Sequence, residues 1–229
     1  MLANKVTPIV GITMFIREFR ELVNRRRTAE TARMGAFFND YRLTMESASK
    51  RFNLLDITGV GNDEVQHSSI LAWLLTPEAS HACGTVFLQL FLEVCGISIP
   101  KELLRGCHVR KEFIGNEAII DILIYKAGRF LVYVENKTVS AEGVDQIGRE
   151  YRDMLRVGTS VRVPPDKMYP IFLTPRGRPP KSGDPRPWHP ISYGDLGKAF
   201  LGALPSLHGR KVFFLLEDLI EQYKRWSGT

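Results

Sequence analysis

The sequence lacks the features that mark membrane-spanning, disulfide-rich and zinc-binding proteins. It contains no apolar run near the roughly 18 to 20 residues that cross a bilayer. Its N-terminal segment has no small-residue cleavage site after a hydrophobic run. Its three cysteines, Cys83, Cys95 and Cys107, are odd in number and have no CxxC spacing, so they favour neither a disulfide framework nor a zinc knuckle. We therefore expect a soluble cytoplasmic protein in which the cysteines are buried small apolar residues.

A basic excess is the first positive feature of the composition. The chain has 229 residues, enough to bury a sizeable core, and a formal net charge of +6. Such a charge favours a polyanionic partner through phosphate contacts, although many basic proteins bind no nucleic acid. The basic residues form two clusters, around Arg25-Arg26-Arg27 and around Arg176 and Arg178. Each cluster is either a solvated surface or a binding surface, and the second interpretation requires a nearby catalytic site.

Hydrophobic periodicity predicts a helical N-terminal extension, residues 1–52, followed by one domain, residues 53–229. Within that domain, β-branched and aromatic residues are concentrated in four segments, which we predict to be strands. The order of elements predicts an α/β fold with a mixed central sheet flanked by helices. The predicted strands are 109–114, 118–125, 129–137 and 169–174; the predicted helices are 63–75, 85–95, 144–157, 193–204 and 211–226; the Pro/Gly-rich segment 175–190 is predicted to be a loop.

Two carboxylates interrupt otherwise apolar strands. Asp121 lies within the apolar run 119–124, and Glu135 ends the run 130–135. Burying an ionised carboxylate without a partner is costly, so each residue needs a cation, a metal or a raised pKa. Because side chains alternate between the faces of a strand, Glu135 and Lys137 point to one side and Asn136 points to the other.

The connection between these strands predicts that the two carboxylates converge. Lys126-Ala127-Gly128 suits a three-residue hairpin loop with Gly128 in the left-handed conformation. That register pairs Asp121 with Tyr133 and leaves Glu135 one diagonal step away, about 7 to 8 Å from backbone to backbone. A slip of one residue would place the carboxylates on opposite faces.

Converging carboxylates indicate a site for a hard divalent cation. Mg²⁺ typically takes one or two protein carboxylates together with water and phosphate oxygens. Lys137, on the same face, can position water or stabilise charge on a phosphate. The competing interpretation is a structural salt bridge between Lys137 and one acid at the end of a strand.

These residues resemble the PD-(D/E)xK nuclease superfamily, whose signature is an acid on one strand and acid-x-Lys on the next. Here the signature is Ile120-Asp121 followed by Glu135-Asn136-Lys137, with Ile in place of the eponymous Pro. The resemblance extends to a group of uncharacterised bacterial and phage nuclease-like proteins and runs from about Phe52 to Tyr223. Further matching segments are 64–68, 71–75, His81 with Gly84, Phe87-Leu88, 169–177 (YPIFLTPRG), Trp188, 191–193 and Asp195-Leu196.

The resemblance implies an αβββαβ restriction-endonuclease-like core and phosphodiester hydrolysis by a metal-activated water, with Mg²⁺ or Mn²⁺ as cofactor. Glu64 would deliver a further acid from the first core helix, although an acid there also suits the helix dipole. The implied catalytic residues are Asp121, Glu135, Lys137, Glu64 and Gln146; the implied metal ligands are Asp121, Glu135, Glu64 and Asn136; the supporting residues are His67, Ser68 and Tyr151.

The helix after Lys137 departs from the pattern in one respect. Tyr151 follows Gln146 by five residues rather than four or fewer, so it points about 40° further round the helix. Glu150 occupies the four-residue position, where it would add negative charge, and we expect it to face solvent instead.

The leading functional hypothesis is a DNA nuclease serving defence, restriction or repair. DNA would contact Arg25, Arg26, Arg27, Arg176 and Arg178. The alternative is a nucleic-acid-binding or assembly module with the same fold and little catalysis, and a weaker possibility is a phosphoesterase acting on RNA or a nucleotide. The amphipathic N-terminal helices also suggest a homodimer; no membrane partner is expected.

Overall fold

The computed structural model describes residues 7–49, 52–207 and 211–228, and the chain divides into two units, residues 1–53 and 54–229. The first unit contains helix α1 (Thr7–Ser49), which is 43 residues long. The predicted extension therefore forms a long helix, and its residues 1–6, 50 and 51 lie outside the described part. Across the described residues, no helix has both the length and the apolar character needed to cross a membrane.

The second unit begins with helices and continues into a sheet, in the order predicted by the hydrophobic pattern. Its elements are α2 (Leu54–Ile57), α3 (Glu64–Leu75), α4 (Val86–Val94), α5 (Lys101–Leu104), β1 (His108–Ile114), β2 (Ile119–Lys126), β3 (Phe130–Asn136), α6 (Gln146–Ser160), β4 (Met168–Thr174), β5 (His189–Ser192), α7 (Tyr193–Ala203) and α8 (Lys211–Ser227), with 3-10 turns at Pro165–Lys167 and Leu204–Leu207.

The five strands form a mixed sheet in the order β1-β2-β3-β4-β5. Strands β1, β2 and β3 pair antiparallel, whereas β3, β4 and β5 pair parallel. Every residue of β3 is buried, as expected for a central strand covered on both faces. The predicted αβββαβ core is confirmed.

Strand β5 corrects the prediction of an uninterrupted loop over residues 175–190. His189–Ser192 pairs with β4 at the edge of the sheet. Pro190 made this segment look incompatible with a strand, but proline is tolerated on an edge strand, where its missing N–H is not needed by a second neighbour.

The two faces of the sheet pack against different helices. On one face, Ile122 and Val134 belong to a core that includes residues of α3, α4, α7 and α8. On the other face, Leu123 and Tyr133 pack with Met154 of α6. Since side chains alternate along a strand, residues two positions from Leu123 and Tyr133 also face α6.

The β2–β3 hairpin differs from the predicted register by two residues. Leu123 pairs with Tyr133 and Lys126 pairs with Phe130, so continuing the ladder places Asp121 opposite Glu135 rather than Tyr133. Lys126 extends the strand instead of opening the loop. Gly128 is left-handed as predicted, with φ of 67°. A shift of two residues preserves the faces, so both carboxylates still lie on one side of the sheet.

The cysteines are free, as the spacing predicted. Cys95 and Cys107 are buried, whereas Cys83 is only half-buried.

Candidate active site

The end of β3 brings Asp121, Glu135 and Lys137 together. The Nζ atom of Lys137 lies 2.9 Å from Oε1 of Glu135. The carboxyl groups of Asp121 and Glu135 are in hydrogen-bonding contact. Oδ2 of Asp121 also accepts a hydrogen bond of 2.8 Å from the backbone N–H of Asn136. The convergence expected from strand geometry is therefore present.

Burial makes the charges of this cluster costly. Glu135 is 1% exposed, and burial, together with the charges of Asp121 and Glu150, raises its pKa well above the ordinary value. Burial likewise raises the pKa of Asp121 to about 6, against the opposing effects of the Asn136 N–H and Lys137. Burial opposes the charge of Lys137, but the carboxylates of Glu135 and Glu64 outweigh it and raise the lysine's pKa. The site therefore holds a fixed ammonium beside acids that lack enough positive charge.

Glu64 reaches this cluster from the first turn of α3. Asp63 caps that helix by accepting a 3.0 Å hydrogen bond from the N–H of Gln66. Oε1 of Glu64 accepts from Nζ of Lys137 at 3.2 Å, whereas Oε2 accepts from the Thr138 N–H at 2.9 Å and from Oγ of Ser140 at 2.7 Å. Glu64 thus anchors Lys137 and the start of the loop that follows β3.

Gln146, the first residue of α6, joins the cluster from the opposite side. Its Nε2 donates to Oε1 of Glu135 at 2.5 Å and to Oε1 of Glu150 at 2.8 Å. Its own oxygen accepts a 2.9 Å hydrogen bond from the Gly143 N–H. The preceding residue, Asp145, is left-handed with φ of 47°, which directs the chain into the helix. Gln146 is therefore fixed between two acids.

Glu150 corrects the expectation that it faces solvent. It is 1% exposed, and burial raises its pKa. Glu150 shares a face of α6 with Ile147 and Met154, both of which are buried. The spacing of these three residues is that of a buried helical stripe, so the sequence did contain a signal for an acid pointing inward.

Asn136 faces away from the acids, and its side chain is already engaged. Its Nδ2 donates to Oγ of Ser68 at 2.9 Å, and the hydroxyl of Tyr193 donates to its Oδ1. A metal ligand at this position would have to be the main-chain carbonyl oxygen. Ser68 correspondingly supports β3 from α3, rather than lying among the acids.

The structure does not bring the other two supporting residues into the acid cluster. His67 is buried, its Nε2 lies 3.0 Å from the carbonyl oxygen of Gly61, and its ring centroid lies 4.4 Å from that of Trp226. Burial lowers the pKa of His67. Tyr151 is partly buried and packs against the apolar core between the sheet and α6.

The arginines predicted to bind DNA have different environments. Arg25, Arg26 and Arg27 are exposed on α1, and Arg176 is exposed after β4. Arg178 instead pairs with Glu142 at 2.5 Å, and its guanidinium lies 5.3 Å from the ring centroid of Phe172.

The donor set of the cluster suits a hard divalent cation. Four carboxylates, those of Asp121, Glu135, Glu150 and Glu64, surround the single ammonium of Lys137. Among the described residues, no three His, Cys, Asp or Glu side chains form a ready-made metal cage. Mg²⁺ does not need one, since it typically takes one or two carboxylates and retains water. The pair formed by Asp121 and Glu135 therefore fits.

Taken together, a mixed sheet that aims an acid from β2 and acid-x-Lys from β3 at one point defines a nuclease-type site. The chain belongs to the PD-(D/E)XK nuclease superfamily, whose family model matches residues 52–200. The match confirms the resemblance seen in the sequence. Comparison with curated proteins and comparison with solved structures each gave no match.

Proposed function

We propose that the protein is a deoxyribonuclease that hydrolyses phosphodiester bonds with Mg²⁺ or Mn²⁺ held by Asp121 and Glu135. The observation that carries the proposal is the excess of buried carboxylate over ammonium at one point of the sheet. An arrangement that only stabilised the fold would pair these charges, because an uncompensated buried carboxylate is destabilising.

When bound, the cation would supply Lewis acidity, lowering the pKa of water and neutralising charge on the phosphate. Lys137 would contribute a second, permanent positive charge. Its Nζ is held 2.9 Å from Glu135 and 3.2 Å from Glu64, so it can contact a phosphate oxygen without reorganising. Glu64 would position Lys137 and act as a further metal ligand on rearrangement, and Gln146 would orient Glu135. The carbonyl of Asn136 would complete the ligand set.

DNA as the substrate is supported by the charge distribution. Arg176 is exposed, as are Arg25, Arg26 and Arg27 on α1, and the chain carries a net charge of +6. Exposed guanidinium groups bind phosphate oxygens bidentately and release counterions. A DNA substrate also accords with a cytoplasmic enzyme of defence, restriction or repair.

A binding module with little catalysis is the second candidate. The exposed arginines of α1 favour it, because they would bind nucleic acid whether or not the acids hold a cation. It predicts salt-sensitive DNA binding that is independent of metal.

The deciding experiment compares cleavage of DNA, RNA and small nucleotides by the full chain with Mn²⁺, with Mg²⁺ and with a chelator. Asp121→Asn should abolish metal-dependent DNA cleavage, and Lys137→Met should slow it by about 100-fold or more. Asp153→Asn is the matched control, since Asp153 is buried on α6 but accepts from the N–H groups of Glu117 and Ala118. Cleavage that persists in the chelator, or equally in all variants, would refute the proposal; exclusive cleavage of RNA would refute the substrate.

A further inference from the structure

Glu150 has an oxygen atom without a hydrogen-bond partner in the interior of the protein. Oε1 accepts from Gln146 at 2.8 Å, but Oε2 is buried and has no partner among the described residues. Native proteins rarely leave buried polar atoms unsatisfied, and a carboxylate oxygen is an expensive atom to leave so. An unmodified chain would have little reason to bury this acid for stability alone.

The unsatisfied atom belongs to the acid cluster. The side chain of Glu150 is in hydrogen-bonding contact with that of Glu135, and the charge of Asp121 acts on it. The hydroxyl of Tyr133 is a second buried atom without a described partner. Tyr133 lies two residues before Glu135, on the same face of β3. Two unsatisfied oxygen atoms therefore lie on the α6 side of the acids.

Glu64, the other extra acid, is in the opposite situation. Its two oxygens accept hydrogen bonds from Lys137, Thr138 and Ser140. Binding a cation through Glu64 would break these contacts, whereas binding one through Oε2 of Glu150 would break none that the structure describes. The free coordination capacity is therefore on α6.

We propose that Glu135 and Glu150 form a second divalent-cation subsite, with Glu135 shared between this cation and the one held by Asp121. This inference rests on the proposed function. Two-metal phosphodiesterase sites hold their cations about 3.5 to 4 Å apart and stabilise both the attacking and the leaving oxygen. The hydroxyl of Tyr133 is available to hydrogen-bond a water of the second cation. Charge agrees, since Lys137 and one divalent cation leave one of the four carboxylates uncompensated even before phosphate binds.

The test is the number of Mn²⁺ ions bound by the full chain, measured by calorimetric titration and by electron paramagnetic resonance. We expect about two ions per chain and the exchange-coupled spectrum of a bridged pair. Glu150→Gln should bind about one ion and lose the coupling, because the amide keeps the shape of the side chain but not its charge. Asp153→Asn is the control and should match the wild-type chain in both measurements.

A chain that binds one ion, lost in Asp121→Asn but retained in Glu150→Gln, would overturn the second subsite and leave the proposed function standing. A wild-type chain that binds no Mn²⁺ would overturn both. Thermal unfolding in a chelator checks that each variant is folded. If Glu150→Gln does not fold, Glu150→Asp replaces it, and the second ion should then bind at least about 10-fold more weakly, as expected when a ligating oxygen is displaced; unchanged affinity would again overturn the subsite.

Discussion

The hydroxyl of Tyr193 donates a hydrogen bond to the side-chain oxygen of Asn136, on the face of the sheet opposite to Glu135 and Lys137. Tyr193 is the first residue of α7, and Asn136 is the last residue of β3. The residue between the two catalytic side chains is thus anchored to a helix behind the sheet. Because the backbone is continuous, this anchor also fixes the end of β3 from which Glu135 and Lys137 project.

Removing that anchor should destabilise the protein. In Tyr193→Phe, the buried Oδ1 of Asn136 loses its donor, so we expect a loss of about 1 to 3 kcal/mol in the free energy of unfolding. Urea denaturation measures it. Tyr223→Phe is the matched control, because the hydroxyl of Tyr223 is buried without a described partner, and its removal should be nearly neutral or stabilising. Equal losses in the two variants would contradict the role assigned to Tyr193.

The pKa of Asp121 predicts how stability varies with pH in the metal-free protein. Folding raises this pKa from 3.8 to about 6 through burial, with Glu64 adding to the rise and Lys137 and the Asn136 N–H opposing it. The folded chain therefore retains a proton that the unfolded chain has released, so the contribution of Asp121 to stability falls as pH rises through that window.

The matching measurement is urea denaturation of the wild-type chain and Asp121→Asn in a chelator across this pH range. The variant should gain about 3 kcal/mol relative to the wild-type chain between the acidic and the neutral end. Mn²⁺ should reverse the order at neutral pH, since only the wild-type chain retains the carboxylate ligand. A difference that stays constant with pH would contradict the shift.

The two arginines that follow β4 should separate stability from DNA binding. Arg178→Ala breaks the contacts with Glu142 and Phe172, so we expect a loss of roughly 1 kcal/mol in stability. Arg176→Ala should leave stability unchanged, weaken DNA binding across sequences and reduce the salt dependence of log K by about one. Denaturation and binding titrations at several salt concentrations measure both. The reverse assignment of effects would show that Arg178, not Arg176, binds phosphate.

The exposed aromatic residues of α1 lead us to propose a homodimer formed through this helix. Phe15 is 67% exposed and Phe37 is 64% exposed, and each stacks on a residue one turn further on. Burying such residues between two copies would stabilise a dimer by removing apolar surface from water. Phe15→Glu with Phe37→Glu should shift sedimentation towards the monomer, whereas Thr31→Glu, an exposed polar position on the same helix, should not. A wild-type chain that sediments as a monomer would exclude the dimer.

Much of the fold could be predicted because its determinants are local. Alternating side chains predicted the shared face of Glu135 and Lys137, and Gly128 located the hairpin. What local pattern could not supply was the first residue of the loop, so the register was displaced by two residues. The short edge strand β5 was also missed, because the tolerance of Pro190 depends on the absence of a second neighbouring strand.

The site was less predictable, because the partner of a polar side chain depends on tertiary contacts. Asn136 appeared available as a ligand until the hydroxyls of Ser68 and Tyr193 were seen to engage its side chain. Glu150 was expected in solvent because its charge was weighed above its position. That position, between Ile147 and Met154 on a buried stripe, outweighs charge when other groups of the site can compensate it.

Glu142 has a consequence for how the surface around the acids behaves. Its carboxylate accepts hydrogen bonds from Arg178 and from the N–H groups of Lys181 and Ser182, so it joins the segment after β3 to the segment after β4. The two segments therefore share a single fastening. A polyanion that drew Arg178 away from Glu142 would loosen both sides of the opening together, so that substrate entry and local mobility would be coupled at that carboxylate.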